Sequence, residues 1–276
     1  MSDRTLYLSE PSKEFLTETI MPTLQALIFD VDGTLAETER DGHRVAFNHA
    51  FEDAGLGWHW SEELYGELLQ VAGGKERIRF YIEQYAPSMP EVSDLTAFIA
   101  DLHRVKTDHF KERVTSGKLP LRPGVRRLIA EAREMNIRLA IATTTRLENA
   151  LAILETSLAP DAADWFELIS AGDSVPRKKP ASDVYDYVLD QLALPAKNCL
   201  AIEDTEHGVT AATGANIKTI VTVNDYTRTQ DFSQAAMVLE HLGDPDYSGC
   251  ALQGPSMPKG YFDLAIAEEI LNVERF

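Results

Sequence analysis

Asp30 and Asp32 stand at the end of an apolar run, Leu24, Ala26, Leu27, Ile28 and Phe29, and Gly33 follows at once. A run this short and apolar predicts a buried strand, whose period of two would aim both carboxylates the same way as it ends. Gly33 frees the backbone for a sharp turn. In open parallel sheets, ligands bind beyond the carboxyl ends of the strands, so this acidic pair sits where chemistry is expected. One carboxylate can attack an electrophile or bind a hard cation while its neighbour gives and takes a proton. A solvated Asp turn is the plain alternative. An EF-hand loop is excluded by spacing, since Thr34 and Leu35 fall where it needs another oxygen ligand and a glycine.

Three more polar positions follow in order. Thr143 comes after Leu139-Ala140-Ile141-Ala142, Lys179 closes the cationic triplet Arg177-Lys178-Lys179, and Glu203-Asp204 follow Cys199-Leu200-Ala201-Ile202. Taken singly, each has a plain structural reading: a helix N-cap for Thr143 and for the acidic pair, a solvated loop lysine for Lys179. Taken together they supply a nucleophile, an acid/base, a hydroxyl beside the free N–H groups of a helix start, a cation, and extra acid for Mg²⁺. That is the equipment of phosphoryl transfer, in which spreading negative charge must be neutralised and the attacker aligned.

The elements needed to hold these groups are legible. From residue 125 onward, helical and strand patterns alternate: helix 125–135, strand Arg138–Ala142, helix 147–156, strand Phe166–Ile169, helix 182–192, strand Cys199–Ile202, helix 206–214, strand Thr219–Val223. Alternation of this kind predicts an α/β fold with a doubly wound parallel, Rossmann-like sheet. Ala236–Leu239 is expected to add a strand, 244–260 to be loop, and 261–273 to close as a helix. Between about 36 and 116 no run reads as a strand, and helices are expected near 38–54 (with Thr38 as N-cap), 61–71, 75–85 and 91–114. This predicts an all-helical insertion, 37–116, in a core made of 23–36 and 117–276, after an accessory tail, 1–22. Leu119-Pro120-Leu121-Arg122-Pro123-Gly124 is a stiff connector out of the insertion.

The composition narrows the partners. Lys and Arg number 26 against 44 Asp and Glu, a formal charge of −18. Nucleic acid and anionic membrane both reward cations, so neither is expected. An anionic substrate would need a locally positive pocket. Two cysteines, Cys199 and Cys250, make neither a disulfide framework nor a zinc cluster. With no apolar run near a membrane span and no signal core in 1–20, a cytoplasmic location is expected.

At its four polar stations the sequence resembles the haloacid dehalogenase superfamily. Asp30-Val31-Asp32-Gly33-Thr34 matches the first motif, Thr143 the second, Lys179 the third and Glu203-Asp204 the fourth, and the insertion resembles that family's helical cap. Glu37-Thr38-Glu39, Gly73-Gly74-Lys75-Glu76-Arg77-Ile78 and Leu121-Arg122-Pro123-Gly124-Val125 are similar to the CbbY branch, close to beta-phosphoglucomutase. That branch includes phosphatases of xylulose 1,5-bisphosphate. The resemblance implies Asp30 as nucleophile and Asp32 as acid/base. It implies Mg²⁺ on Asp30, the Asp32 carbonyl and Asp204, with Glu203 beside it. Thr143, Thr144 and Lys179 would hold the transferring phosphate, and Glu39, His43, Gly74, Lys75 and Arg146 would read the rest of a phosphorylated sugar. Ala181-Ser182-Asp183 departs from the family's usual Lys-Pro-x-Pro-Asp run, which touches loop stiffness and not charge.

A phosphomutase or a broader sugar-phosphate phosphatase shares every core motif, and a non-catalytic sugar-phosphate sensor is the alternative of a different class. Of the insertion residues, His43 on a helix has an ordinary structural reading. Lys75 is electrostatically misplaced at a helix start, which makes a substrate anion its better partner. Trp58-His59-Trp60 reads as packing.

Overall fold

In the computed structural model, which describes residues 24–273 apart from 72 and 173, the apolar run forms β1 (Ala26–Phe29) at the centre of the sheet. Its pleat sends Leu27 and Phe29 into one core and Ala26 and Ile28 into the other, so both faces are buried. Four helices follow: α1 (Arg44–Asp53), α2 (Glu62–Leu68), α3 (Gly74–Tyr85) and α4 (Leu95–Thr115). The alternating part then runs α5 (Val125–Glu134), β2 (Arg138–Ala142), α6 (Leu147–Ile153), β3 (Leu168–Ser170), α7 (Asp183–Leu192), β4 (Cys199–Glu203), α8 (Glu206–Gly214) and β5 (Lys218–Thr222). Strands β6 (Met237–Leu239) and β7 (Ala251–Gln253) and helix α9 (Leu264–Asn272) complete it. The expected tail, 1–22, lies outside the described residues.

Sheet order is β3-β2-β1-β4-β5-β6-β7, parallel except for β7. This is the doubly wound, Rossmann-like arrangement, and β1 sits where the winding reverses, with β2 on one side and β4 on the other. Register makes the placement definite: Phe29 lies beside Ile141 and Ile202. Asp30, Ala142 and Glu203 therefore finish at one level, with Thr143 the next residue on. One face of these strands is small (Ala26, Ala140, Ala142, Ala201), which lets α7 and α8 pack closely through Val184, Tyr185, Val188, Ala211 and Ala212.

Three local expectations need correction. Strand β3 begins at Leu168, because Phe166 turns inward to pack edge-on against Phe29 at 6.5 Å. Strand β7 falls inside 244–260, expected to be loop; it is a three-residue antiparallel edge strand with little buried surface and hence no apolar run to reveal it. Thr38 caps no helix. A π-helical turn, Thr38–His43, runs straight into α1 and leaves the Thr38 hydroxyl buried beside Asp32.

The helices between 38 and 115 bury a cluster of their own, including Phe47, Phe51, Trp58, Trp60, Tyr65, Leu68 and Ile78. Trp58 and Trp60 both pack on Phe51, with ring centroids 5.3 and 4.9 Å away, so this stretch is packing as expected. Helices α2 and α4 start where Ser61 and Asp94 accept the N–H of Leu64 and Ala97. Arg122, in the connector, is buried and ties the parts together. It donates to the carbonyls of Gly33, Thr222 and Val223 and pairs with Glu37 at 2.8 Å. The turn after β1 is thereby anchored to the end of β5.

Candidate active site

Asp30 is the first residue past β1, and its N–H continues the ladder to the Ile202 carbonyl at 3.0 Å. Strand pleat does not place Asp32, because β1 has already ended. A tight turn does, in which Thr34 and Leu35 donate to the Val31 carbonyl and Gly33 to that of Ala36. Gly33 adopts φ +76°, and a Cβ there would lie 2.0 Å from Asp204 Oδ2. Only glycine fits between the first and last motifs.

Lys179 reaches in from the loop before α7. Its ammonium donates to Asp30 Oδ1 at 2.7 Å, Glu203 Oε1 at 2.5 Å and the Ala142 carbonyl at 2.9 Å. It is no solvated loop lysine. Burial works against its charge, but the Asp30 and Glu203 carboxylates outweigh that and hold the ammonium above its usual pKa. Glu203 Oε1 also accepts from Tyr185 at 2.5 Å, and Gly208 leaves room for that carboxylate, which a Cβ would meet at 1.9 Å. The cap of α8 is Thr205, which accepts the Gly208 N–H at 3.1 Å, so Glu203 and Asp204 are not needed for capping. Thr143 caps no helix either, since α6 begins at Leu147. It is buried, and its hydroxyl accepts the Thr145 N–H at 3.3 Å. Thr144 and Arg146 are exposed beside it.

Asp30, Glu203 and Asp204 are all buried and offer oxygens within 4.8 Å of one another. Burial, then the charges of Asp30 and Glu203, push the Asp204 carboxyl well up. One ammonium does not balance this group, and an all-oxygen donor set suits a hard divalent cation such as Mg²⁺. Asp32 sits apart from that set. Burial and then the Asp30 charge raise its carboxyl to about 7, while the Thr38 and Thr145 hydroxyls pull the other way. A carboxyl poised near neutrality can both give and take a proton.

The raised Asp32 has a measurable consequence for stability. Its folded-state pKa lies above the unfolded one, so its contribution is fully present below the unfolded pKa and is lost as pH rises through about 7. Between pH 6 and 8, metal-free protein should lose on the order of 1 kcal/mol relative to Asp32→Asn, which has nothing to titrate. Denaturant melts of both proteins at the two pH values measure this. A gap that stays constant would mean that Asp32 ionises normally.

Among the insertion residues, Glu39 accepts from the Tyr65 hydroxyl at 2.6 Å, and that hydroxyl accepts from Arg77 at 3.1 Å. His43 stacks on Phe110 at 3.8 Å, and its Nδ1 lies 2.9 Å from Lys106 Nζ. Burial, then Lys106, push the His43 pKa well down. The imidazole is therefore neutral, Nδ1 accepts from the ammonium, and Nε2 carries the proton. Burial also lowers Lys106, to about 8. Lys75 is exposed at the start of α3 and makes no ion pair among the described residues. It nonetheless lies near His103, whose pKa is lowered by burial and then by Lys106 and Lys75, with Glu76 opposing and Arg146 adding to the shift. Gly74 is what allows His103 so close to α3, since a Cβ there would meet the imidazole at 2.5 Å.

The sequence did not mark Tyr65, His103, Lys106 or Thr145 as site residues, and it marked Arg77 only as part of the 73–78 stretch. Lys106 had a signal: it falls on the buried stripe of α4 with Ile99, Leu102, Phe110 and Val114. A lysine at such a position needs a partner.

Comparison with known proteins finds relatives over most of the chain. A family model described as haloacid dehalogenase-like hydrolase matches residues 27–222. Protein CbbY of Cupriavidus necator is 49% identical over 222 residues, 80% of this chain and 87% of that protein. CbbY of Rhodobacter capsulatus is 45% identical over 236 residues, 85% of this chain and 99% of that protein. A crystal structure of a CbbY variant from Rhodobacter sphaeroides in complex with xylulose-(1,5)bisphosphate superposes with a TM-score of 0.66 at 41% identity, covering 80% of this chain and 96% of that one.

Proposed function

We propose, from the premise that this chain belongs to the haloacid dehalogenase-like hydrolase family and is a phosphatase, that it converts xylulose 1,5-bisphosphate to xylulose 5-phosphate through an aspartyl-phosphate. The Asp30 carboxylate attacks phosphorus, a P–O bond to Asp30 forms, and the sugar oxygen leaves with the proton of Asp32. A water, deprotonated by Asp32, then releases phosphate and restores Asp30. Lys179 occupies Asp30 Oδ1, which leaves the other oxygen for attack. Thr143, Thr144 and Lys179 hold the transferring phosphate. Asp30, Asp204 and the Asp32 carbonyl would hold Mg²⁺, with Glu203 beside it; bound there, the ion supplies positive charge to phosphoryl oxygens. The helices of 37–116 act as a cap that excludes water in the first step and admits it in the second.

The observation that carries the bisphosphate reading is the cationic group outside the core motifs. Lys106, Lys75 and Arg146 all bear on His103, against the single opposing charge of Glu76, in a chain of formal charge −18. A second phosphate, at the far end of a pentose, is the ligand that such a group fits. The CbbY structure with bound xylulose-(1,5)bisphosphate supports the same choice. A side-by-side kinetic panel of pentose bisphosphates, sugar monophosphates and beta-glucose 1-phosphate tests it. The bisphosphate should have the highest kcat/KM, and preference for a monophosphate would reject the assignment.

Lys75→Ala gives a sharper form of that test. A charge-assisted contact to phosphate is worth roughly 1.5–3 kcal/mol, or about 10- to 150-fold. The substitution should lower kcat/KM for xylulose 1,5-bisphosphate by about that factor and scarcely change hydrolysis of a small monophosphate. An unchanged ratio between the two substrates would make Lys75 a surface lysine.

A further inference from the structure

Asp204 is oriented by a side chain outside the four motifs. Asn224, in the loop after β5, donates from Nδ2 to Asp204 Oδ2 at 2.8 Å. The amide is itself fixed, because its Oδ1 accepts the Tyr226 N–H at 2.9 Å and its main-chain N–H donates to the Thr227 hydroxyl at 3.0 Å. The pair lies on the Gly33 turn, where a Cβ would come within 2.9 Å of Asn224 Nδ2.

The next two residues reach the helices on the other side. Arg40, in the turn leading to α1, donates to Asp225 at 2.7 Å. The Tyr226 ring meets Tyr65 of α2 edge-on, with centroids 5.9 Å apart, and lies against Gly66, where a Cβ would be 3.2 Å away. The Arg40–Asp225 pair is exposed, and such pairs are weak alone, so the ring is the stronger tie. The Tyr226 hydroxyl is buried with no hydrogen-bond partner among the described residues. Packing against the cap, not hydrogen bonding, keeps the ring there.

We propose that Asn224 is a positioning residue for Asp204, and that Asn224–Tyr226 couples cation binding at Asp204 to the cap position in which α2 meets Tyr226. This rests on the reading of Asp204 as a Mg²⁺ ligand. Coupling of this kind is reciprocal. A cation that fixes Asp204 also fixes Asn224 and the ring two residues on. Loss of the ring contact frees the loop and, through it, the carboxylate.

Calorimetric titration of Mg²⁺ into substrate-free wild type, Asn224→Ala and Tyr226→Ala tests the proposal without any turnover. Asn224→Ala should weaken Mg²⁺ by about 10- to 100-fold, the scale for losing a partner of a metal-holding group. Tyr226→Ala alters no carboxylate of the cluster, yet should weaken Mg²⁺ by about 5-fold or more. Hydrogen exchange across Glu62–Leu68 should slow when Mg²⁺ is added to wild type but not to Asn224→Ala. Wild-type Mg²⁺ affinity in Tyr226→Ala overturns the coupling, and the same result in Asn224→Ala overturns the positioning role too. Tyr226 is only half-buried, so its variant keeps the test open if Asn224→Ala fails to fold. A wild type that takes up no Mg²⁺ would instead reject the reading of Asp204.

Discussion

Asp30→Asn is expected to abolish turnover and to yield no acid-stable phosphoenzyme when labelled substrate is quenched. An amide cannot act as the anionic nucleophile. The loss should be on the order of 10⁶-fold in kcat, the scale seen when a covalent nucleophile is removed from an enzyme. The fold should survive. The amide oxygen can still accept from Lys179, which keeps its second carboxylate partner, Glu203, at 2.5 Å. The substitution also removes one negative charge from a buried group in which Asp30 raises the pKa of Asp32, Glu203 and Asp204. Metal-free Asp30→Asn should therefore melt no lower than wild type, and a higher melting point fits relieved repulsion. Near-wild-type turnover in this variant would show that another group attacks phosphorus.

The same substitution separates catalyst from sensor. A non-catalytic sugar-phosphate binder would hold its ligand equally well as wild type or as Asp30→Asn, and would form no phosphoenzyme in either form. A phosphatase loses the intermediate only in the variant.

What could be read beforehand followed the range of the interactions involved. Strands β2 and β4 start at the residues their apolar runs indicate, because both are buried on two faces and carry continuous apolar sequence. Edge strand β7 has no such run, and the start of β3 was obscured by Phe166, which is apolar but packs and does not pair. That Asp30, Lys179 and Asp204 would come together was legible because each follows a buried strand or sits in a loop with a familiar motif. The contacts that tune them were not. Asn224 meets Asp204 across 20 residues, and Asp225 meets Arg40 across 185. No local pattern encodes either. Lys106 lies between these cases: its place on the α4 stripe marks it as unusual, but only the fold shows His43 as its partner.

Asp32→Ala should cost about 10²–10⁴-fold in kcat/KM on a sugar phosphate, the usual contribution of a general acid or base. The defect should depend on the leaving group. A sugar oxygen is a poor leaving group and needs the proton that Asp32 supplies, whereas an activated aryl oxide departs without one. The parameter matters, because kcat/KM reports only the steps through departure of the first product. The second role of Asp32, as base toward water, therefore does not blur the comparison. Truncation relieves the penalty of a carboxyl pushed up to about 7 by burial, while the Thr38 and Thr145 hydroxyls beside it lose a partner. In wild type, kcat/KM on the sugar phosphate should fall at the alkaline side as Asp32 loses its proton, and in Asp32→Ala that limb should vanish. Equal losses on sugar and aryl phosphates, or a pH limb that persists in the variant, would mean that Asp32 holds the site in shape without carrying the proton.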